Sequence, residues 1–243
     1  MVWGKVNSDA GSLQPGFSPG HSEQGGGMLP ARMLVVSAAV MIGGIYALFQ
    51  LRMLPPTIAP FVSKIYFWPT MPFTVLKAWN NYWTKMDDTL YLGCAPLGFL
   101  GHVEDLHKRG VTGVINMCSE YRGPIEEYKL FGIEQLWLPT TDHEEPELID
   151  MQRAVSFITR HEKAGNQVLV HCKAGHGRSA AIAMAWLLTK DRDTTPQKMQ
   201  KKMLAVRAVR RTLYRQPHLR LYYRSLHSSS DGGAKDKDRR SSY

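Results

Sequence analysis

From Asn81 onward the chain alternates short, β-branched apolar runs with longer stretches whose apolar residues recur every three or four positions. Thr89–Gly93, Val111–Met117, Ile133–Leu138 and Gln167–His171 read as strands, the third closed by Pro139. Phe99–Arg109 reads as a helix stopped by Gly110. Pro146 opens a longer one that ends at Gly165, with Leu148, Met151, Ala154, Val155, Phe157 and Ile158 on its apolar side. Ser179–Thr189, Pro196 to about Ala208 and Pro217 to about Leu226 complete the helical set. Strands and helices in alternation predict an α/β fold, a mostly parallel central sheet covered by helices on both faces. In such a fold, ligand loops gather at the carboxyl ends of the strands.

The flanks follow other patterns. Residues 1–31 are rich in Gly, Ser and Pro without apolar periodicity and are expected to be disordered. Met33–Phe49 is an uncharged apolar run between Arg32 and Arg52, so a transmembrane helix is expected over 32–52, near the short end of what spans a bilayer. A targeting helix and a buried or interfacial helix are the competing readings. Residues 53–80 interleave five prolines with aromatics and Lys64 and Lys77. That suits either a juxtamembrane linker at headgroup depth or an arm packed on the domain. Residues 81–227 form the expected catalytic domain, and the charged, apolar-poor stretch 228–243 is an expected disordered tail.

Charge narrows the class of partner. Thirty Lys and Arg against 21 Asp and Glu give a net charge of +9, which favours anionic partners, a membrane surface or phosphorylated molecules among them. No nucleic-acid-recognition pattern accompanies it, so nucleic acid is not expected. Cys94, Cys118 and Cys172 are too few and too irregularly spaced for a disulfide framework, which suggests a reducing compartment. Cys94 and Cys118 read as buried small hydrophobes, with a resolving-thiol role as the sharper alternative.

The chemistry concentrates in Val168-Leu-Val-His-Cys-Lys-Ala-Gly-His-Gly-Arg-Ser179: a strand, a loop and the start of an apolar helix. A thiol attacks as thiolate, and its pKa falls at a helix N-terminus beside cations. The backbone of Lys173, Ala174, Gly175, His176 and Gly177 offers a nest of N–H groups for an anion, reinforced by the helix dipole. Arg178 is suited to fork two donors onto phosphate oxygens. Ser179 is placed to hydrogen-bond the thiolate, and His171 to orient the loop. No second Cys or His stands at zinc-ligand spacing around Cys172, and there is no Cys-x-x-Cys, so neither a metal site nor a thioredoxin-type site is expected.

His-Cys, five further residues, then Arg-Ser resembles the loop of the cysteine-dependent protein tyrosine and dual-specificity phosphatases. The resemblance implies a protein-tyrosine-phosphatase-like fold and a phosphocysteine mechanism without cofactor or metal. A carboxylic acid should then protonate the leaving oxygen. Asp142, just past the third strand, is the first candidate, with Glu144 and Glu145 as alternates.

Within that class the chain is most similar to the dual-specificity subfamily that includes the mitochondrial phosphatidylglycerophosphate phosphatases of cardiolipin synthesis. The similarity is carried by Leu90-Tyr-Leu-Gly93, Val114-Ile-Asn-Met117 followed by Glu120-Tyr121, Leu138-Pro-Thr-Thr-Asp142 and His171-Cys-Lys-Ala-Gly175. It departs at His176, where relatives often carry Arg. The resemblance implies a phospholipid phosphomonoester substrate, with Lys173 as an extra cation for a second phosphate and Glu120 and Tyr121 at the pocket mouth. It also implies a mitochondrial inner-membrane location, with the endoplasmic reticulum or a plastid membrane as alternatives. A membrane protein phosphatase, a phosphoinositide phosphatase and a non-catalytic phospho-binding scaffold are the competing functions.

Overall fold

A computed structural model of the protein describes residues 31–238, apart from residues 52 and 56. Five strands run as β1 (Trp83–Lys85), β2 (Leu90–Gly93), β3 (Val111–Cys118), β4 (Glu134–Thr140) and β5 (Gln167–His171). They form one sheet in the order β1-β2-β5-β3-β4, with β1 antiparallel to β2 and every other pair parallel. The expected α/β architecture is therefore observed. Central β5 is flanked by β2 and β3 and ends at His171. Its apolar run Val168-Leu-Val170 is fully buried because both sheet faces are covered. Pro139 lies within β4, which continues to Thr140. An edge strand tolerates the missing N–H.

The helices are α1 (Ala31–Gln50), α2 (Ala59–Ala78), α3 (His102–Lys108), α4 (Ile125–Leu130), α5 (Leu148–Lys163), α6 (Arg178–Lys190), α7 (Pro196–Val206) and α8 (Pro217–Asp238). In α6 the small residues Ala180, Ala181, Ala183 and Ala185 are fully buried, which allows close approach to its neighbours on several sides. The larger cluster joins α6 to Met151, Ala154 and Ile158 of α5, Leu219 and Tyr222 of α8, and Ile115 and Met117 of β3. A second cluster, on the other side of the sheet, packs Val103 and Leu106 of α3 and Tyr128 of α4 on Val114 and Leu169.

The flanks bring corrections. The chain divides into Met1–Ile42 and Gly43–Tyr243; the first unit contributes the start of α1 and the second everything after it. Among the described residues no helix is long and apolar enough to cross a membrane, so the transmembrane span expected over 32–52 is not borne out. Part of that apolar run serves packing instead. Tyr46 stacks on Tyr66 with ring centroids 4.8 Å apart, and Phe49 is buried edge-on to His143 at 5.0 Å.

Residues 53–80, read either as a juxtamembrane linker or as an arm packed on the domain, contain a 20-residue helix, α2, that packs on the main core. Pro60 sits in its first turn, where no intrahelical donor is needed. Pro69 and Pro72 each remove a backbone donor further along. The helix persists because Phe67 and Met71 are buried in the main core. Thr70 and Thr74 also bond back to the carbonyls of Tyr66 and Thr70, at 2.5 and 3.2 Å. At the other end α8 continues to Asp238, into the stretch expected to be disordered. Of residues 1–31, expected to be disordered, Ala31 begins α1, and residues 1–30 lie outside the described residues, as do the last five of the chain.

Candidate active site

The turn from β5 into α6 shapes the phosphate loop. Gly175 has φ +67, and a Cβ there would lie 2.6 Å from the Gly93 backbone and from Arg207 Nη2, so only glycine fits. Gly177 caps α6 without any side-chain acceptor, and the first N–H groups of the helix face the loop. Cys172 is buried. Burial raises its thiol pKa, but the Arg178 charge, the Ser179 hydroxyl and the Ser179 N–H together bring it below the ordinary cysteine value. The Ser179 hydroxyl donates to Cys172 Sγ at 3.2 Å. His171 is fully buried, and that burial pushes its pKa down to about 3, so the ring is neutral around pH 7.

Arg178 is the hub. Its Nη1 and Nη2 donate to the two Glu120 oxygens at 2.8 and 2.7 Å, a buried bidentate fork. Nη1 also donates to the carbonyl of Thr140 at 2.8 Å, and Nη2 lies 3.1 Å from Asp142 Oδ1. Its buried Nε has no partner among the described residues. Glu120, expected at the pocket mouth, holds the guanidinium of Arg178, the candidate catalytic cation. Tyr121 donates its hydroxyl to the Pro96 carbonyl at 2.7 Å and stacks on Phe67 of α2 at 4.9 Å. Asn116 holds this loop, donating to the Tyr121 carbonyl at 2.8 Å and accepting from the Cys118 N–H at 2.9 Å.

Of the three candidate acids, Asp142 alone reaches Arg178. Glu144 is exposed. Glu145 accepts from the His218 N–H at 2.6 Å and so serves the start of α8. Burial raises the Asp142 pKa, but Arg178 and His143 outweigh it and hold the carboxyl below its ordinary range. His143 adopts φ 69, an uncommon conformation for a residue with a side chain. Its N–H donates to Asp142 Oδ1 at 3.0 Å, and its carbonyl accepts from Arg210 at 3.3 Å.

Lys173 is turned toward α2. Its Nζ donates to the Thr70 hydroxyl and to the Tyr66 carbonyl, the latter at 3.4 Å, and lies 5.5 Å from the centre of the Phe67 ring. Burial lowers its pKa. His176 bonds the Ala208 carbonyl through Nδ1 at 3.1 Å, and desolvation lowers its pKa. Cys94 and Cys118 are fully buried, and burial raises both thiols, to about 11 for Cys94. They are poor nucleophiles there.

Two supports had not been singled out from the sequence. Arg207 donates from Nε to the Gly175 carbonyl at 3.2 Å, from Nη2 to the Ala174 carbonyl at 3.3 Å, and from Nη1 to the Asn81 carbonyl at 2.8 Å. The phosphate loop is thereby tied to the start of the domain. Arg210 bridges the two catalytic loops, its N–H donating to the His176 carbonyl at 2.8 Å while its guanidinium reaches His143. The only signal for either lay in Arg207-Ala-Val-Arg210, basic residues among apolar ones, a pattern that equally describes a solvated helix end.

This geometry agrees with the comparisons. The profile described as "Dual specificity phosphatase, catalytic domain" matches residues 90–221. The chain belongs to the dual-specificity phosphatase family. Two curated members of the family illustrate the likeness. The chain is 33% identical over 133 residues to the "Phosphatidylglycerophosphate phosphatase PTPMT2" of Arabidopsis thaliana, covering 52% of this chain and 58% of that one. It is 33% identical over 139 residues to the human "Phosphatidylglycerophosphatase and protein-tyrosine phosphatase 1", covering 52% of this chain and 69% of that one. Against the crystal structure of PTPMT1 it superposes with a TM-score of 0.55 at 27% identity, over 62% of this chain and 99% of that one. A second PTPMT1 structure, with TM-score 0.55, 26% identity and the same coverage, is a complex with PI(5)P.

Proposed function

We propose that the chain is a phosphoric monoester hydrolase that works through a phosphocysteine, with phosphatidylglycerophosphate as its substrate and phosphatidylglycerol as its product. The observation that carries the chemistry is the buried Cys172 thiol, which accepts from the Ser179 hydroxyl at 3.2 Å on the loop that leads to Arg178, itself forked onto Glu120; the Arg178 charge and Ser179 draw the thiol pKa down against its burial. The names of the two relatives support the substrate.

In the first step Cys172 Sγ attacks phosphorus in line, an S–P bond forms and the P–O bond to the alcohol breaks. Asp142 gives its proton to the departing oxygen. A phosphate dianion engaging Arg178 would draw that cation from Asp142 and set negative charge beside it, and both effects raise the carboxyl pKa toward a protonated acid. In the second step water attacks phosphorus, its proton passes to Asp142, the S–P bond breaks, and inorganic phosphate leaves with the thiolate regenerated. Loop N–H groups and Arg178 hold the charge throughout.

A phosphoinositide is the second reading, favoured by the PI(5)P complex of the similar structure. Phosphotyrosine is a third, favoured by the human relative's name. The site of action we propose is a mitochondrial membrane, on the subfamily resemblance.

The test is phosphate release by the full chain from phosphatidylglycerophosphate vesicles, phosphoinositide vesicles and a phosphotyrosine peptide, with Cys172→Ser as control. Preference for the first substrate, abolished in the control, is the expected result. Preference for the peptide would move the enzyme to phosphoprotein signalling. Phosphate-ester binding without turnover would leave a scaffold.

A further inference from the structure

We infer that the outer face of α2 is the surface by which this enzyme docks on a phospholipid bilayer; the inference rests on the lipid-substrate reading above. The inner face of α2 is occupied, with Phe67 and Met71 in the core and Tyr66 and Thr70 accepting from Lys173. The outer face is apolar as well. Phe61, Ile65, Trp68, Leu76 and Trp79 recur at helical spacing, with Pro72 between them, and all five large side chains are exposed, Phe61 by 67% and Leu76 by 72%. Trp68 extends the stripe to exposed Phe99, ring centroids 6.5 Å apart. A helix apolar on both sides belongs in a core or against lipid, and here one side is left largely exposed among the described residues, with Trp68 partly covered by Tyr121 and Phe99.

Three observations identify a bilayer as the occupant. The stripe carries a tryptophan near its middle and another at its end, residues that settle at the membrane–water boundary. Exposed Lys64 borders it, a cation suited to anionic headgroups. The same helix adjoins the catalytic loop, since Lys173 follows Cys172 and bonds to α2. An interfacial helix sinks about 5–10 Å and is itself about 10 Å across, so a half-immersed α2 would hold Lys173 and the rim of the site near headgroup level. A lipid phosphomonoester would then be reached without leaving the bilayer.

The experiment uses the full chain and vesicles of phosphatidylcholine with anionic phosphatidylglycerol. Brominated acyl chains should quench tryptophan fluorescence in the wild type, and Trp68→Phe with Trp79→Phe should remove most of that quenching. The triple change Phe61→Ser, Ile65→Ser, Leu76→Ser should weaken vesicle binding about tenfold or more, while hydrolysis of a soluble aryl phosphate stays unchanged. Undiminished quenching, or wild-type vesicle affinity in the triple variant, would overturn the inference. So would a wild-type dimer that fails to bind vesicles and that the triple variant makes monomeric, because the face would then belong to a second copy. Vesicle binding through α2 with no hydrolysis of any phospholipid would support the docking face while retiring the substrate reading.

Discussion

The phosphate loop and α2 meet at Lys173, yet they are built on opposite principles. The loop is held by a close backbone approach and by guanidinium groups with fixed partners. Gly175 lies against Gly93, Arg207 ties down the Ala174 and Gly175 carbonyls, and Arg178 is fixed by Glu120, Thr140 and Asp142. Such a site tolerates few residue types, and its geometry survives single contacts poorly. α2 is held by apolar side chains and a few hydroxyl bonds, any one of which its neighbours can partly replace. Conformational requirements make the loop stringent; redundancy makes the helix forgiving.

The sharpest way to break that comparison is Arg178→Lys. A lysine keeps the charge but cannot fork onto Glu120 and a phosphate together, so kcat/KM for an aryl phosphate should fall about a thousandfold. A loss of only a few-fold would mean that charge, not the planar fork, is what the site requires. Gly175→Ala should come next. At φ +67, with its Cβ 2.6 Å from the Gly93 backbone, alanine should cost roughly 2–4 kcal/mol in urea unfolding and shift the loop enough to depress turnover. Near-native stability and rate would show the loop to be more pliant than its contacts suggest.

The same contrast explains what could be read from the sequence. The loop was legible because its chemistry demands specific residues at fixed spacing, and the strand–helix alternation followed from apolar periodicity. Asp142 was legible by its place after a strand. Glu120 was visible as a residue, but its partner was not, since nothing local shows that the loop after β3 folds back onto Arg178. Arg207 and Arg210 were hidden because buried and solvated arginines look alike in sequence. α2 is not legible as a helix because five prolines interrupt residues 53–80, and it is the burial of Phe67 and Met71 that holds it. The apolar run before it reads as a membrane span, a targeting helix or a buried helix, and nothing local reveals that Tyr46 and Phe49 have protein neighbours while Val35, Val40 and Met41 stay exposed.

Ser179→Ala should have a smaller effect with a distinctive pH signature. The Ser179 hydroxyl is one of the groups holding the Cys172 pKa down, so its loss raises that pKa. At a given pH below the new value, less thiolate is present. The acidic limb of kcat/KM should therefore move to higher pH, with the loss largest at low pH. A separate, pH-independent loss of about tenfold should appear in kcat, where Ser179 steadies the departing thiolate in the second step. An unmoved acidic limb would assign the low thiol pKa to Arg178 and the backbone alone.

The smallest effect should come from Thr70→Val, which tests the forgiving side. The change keeps the β-branched shape, removes the hydroxyl that receives Lys173 Nζ, and leaves the Tyr66 carbonyl as its remaining partner. Lys173 is only partly buried, so water can take over the lost bond, and stability should fall by less than about 1 kcal/mol. Turnover of a soluble aryl phosphate should change no more than about threefold, because Cys172, Arg178 and Asp142 keep every contact described for them. A loss as large as that of Gly175→Ala would mean that α2 sets the shape of the phosphate loop through this one hydrogen bond. The two regions would then be a single mechanical unit, and the redundancy assigned to the helix would be wrong.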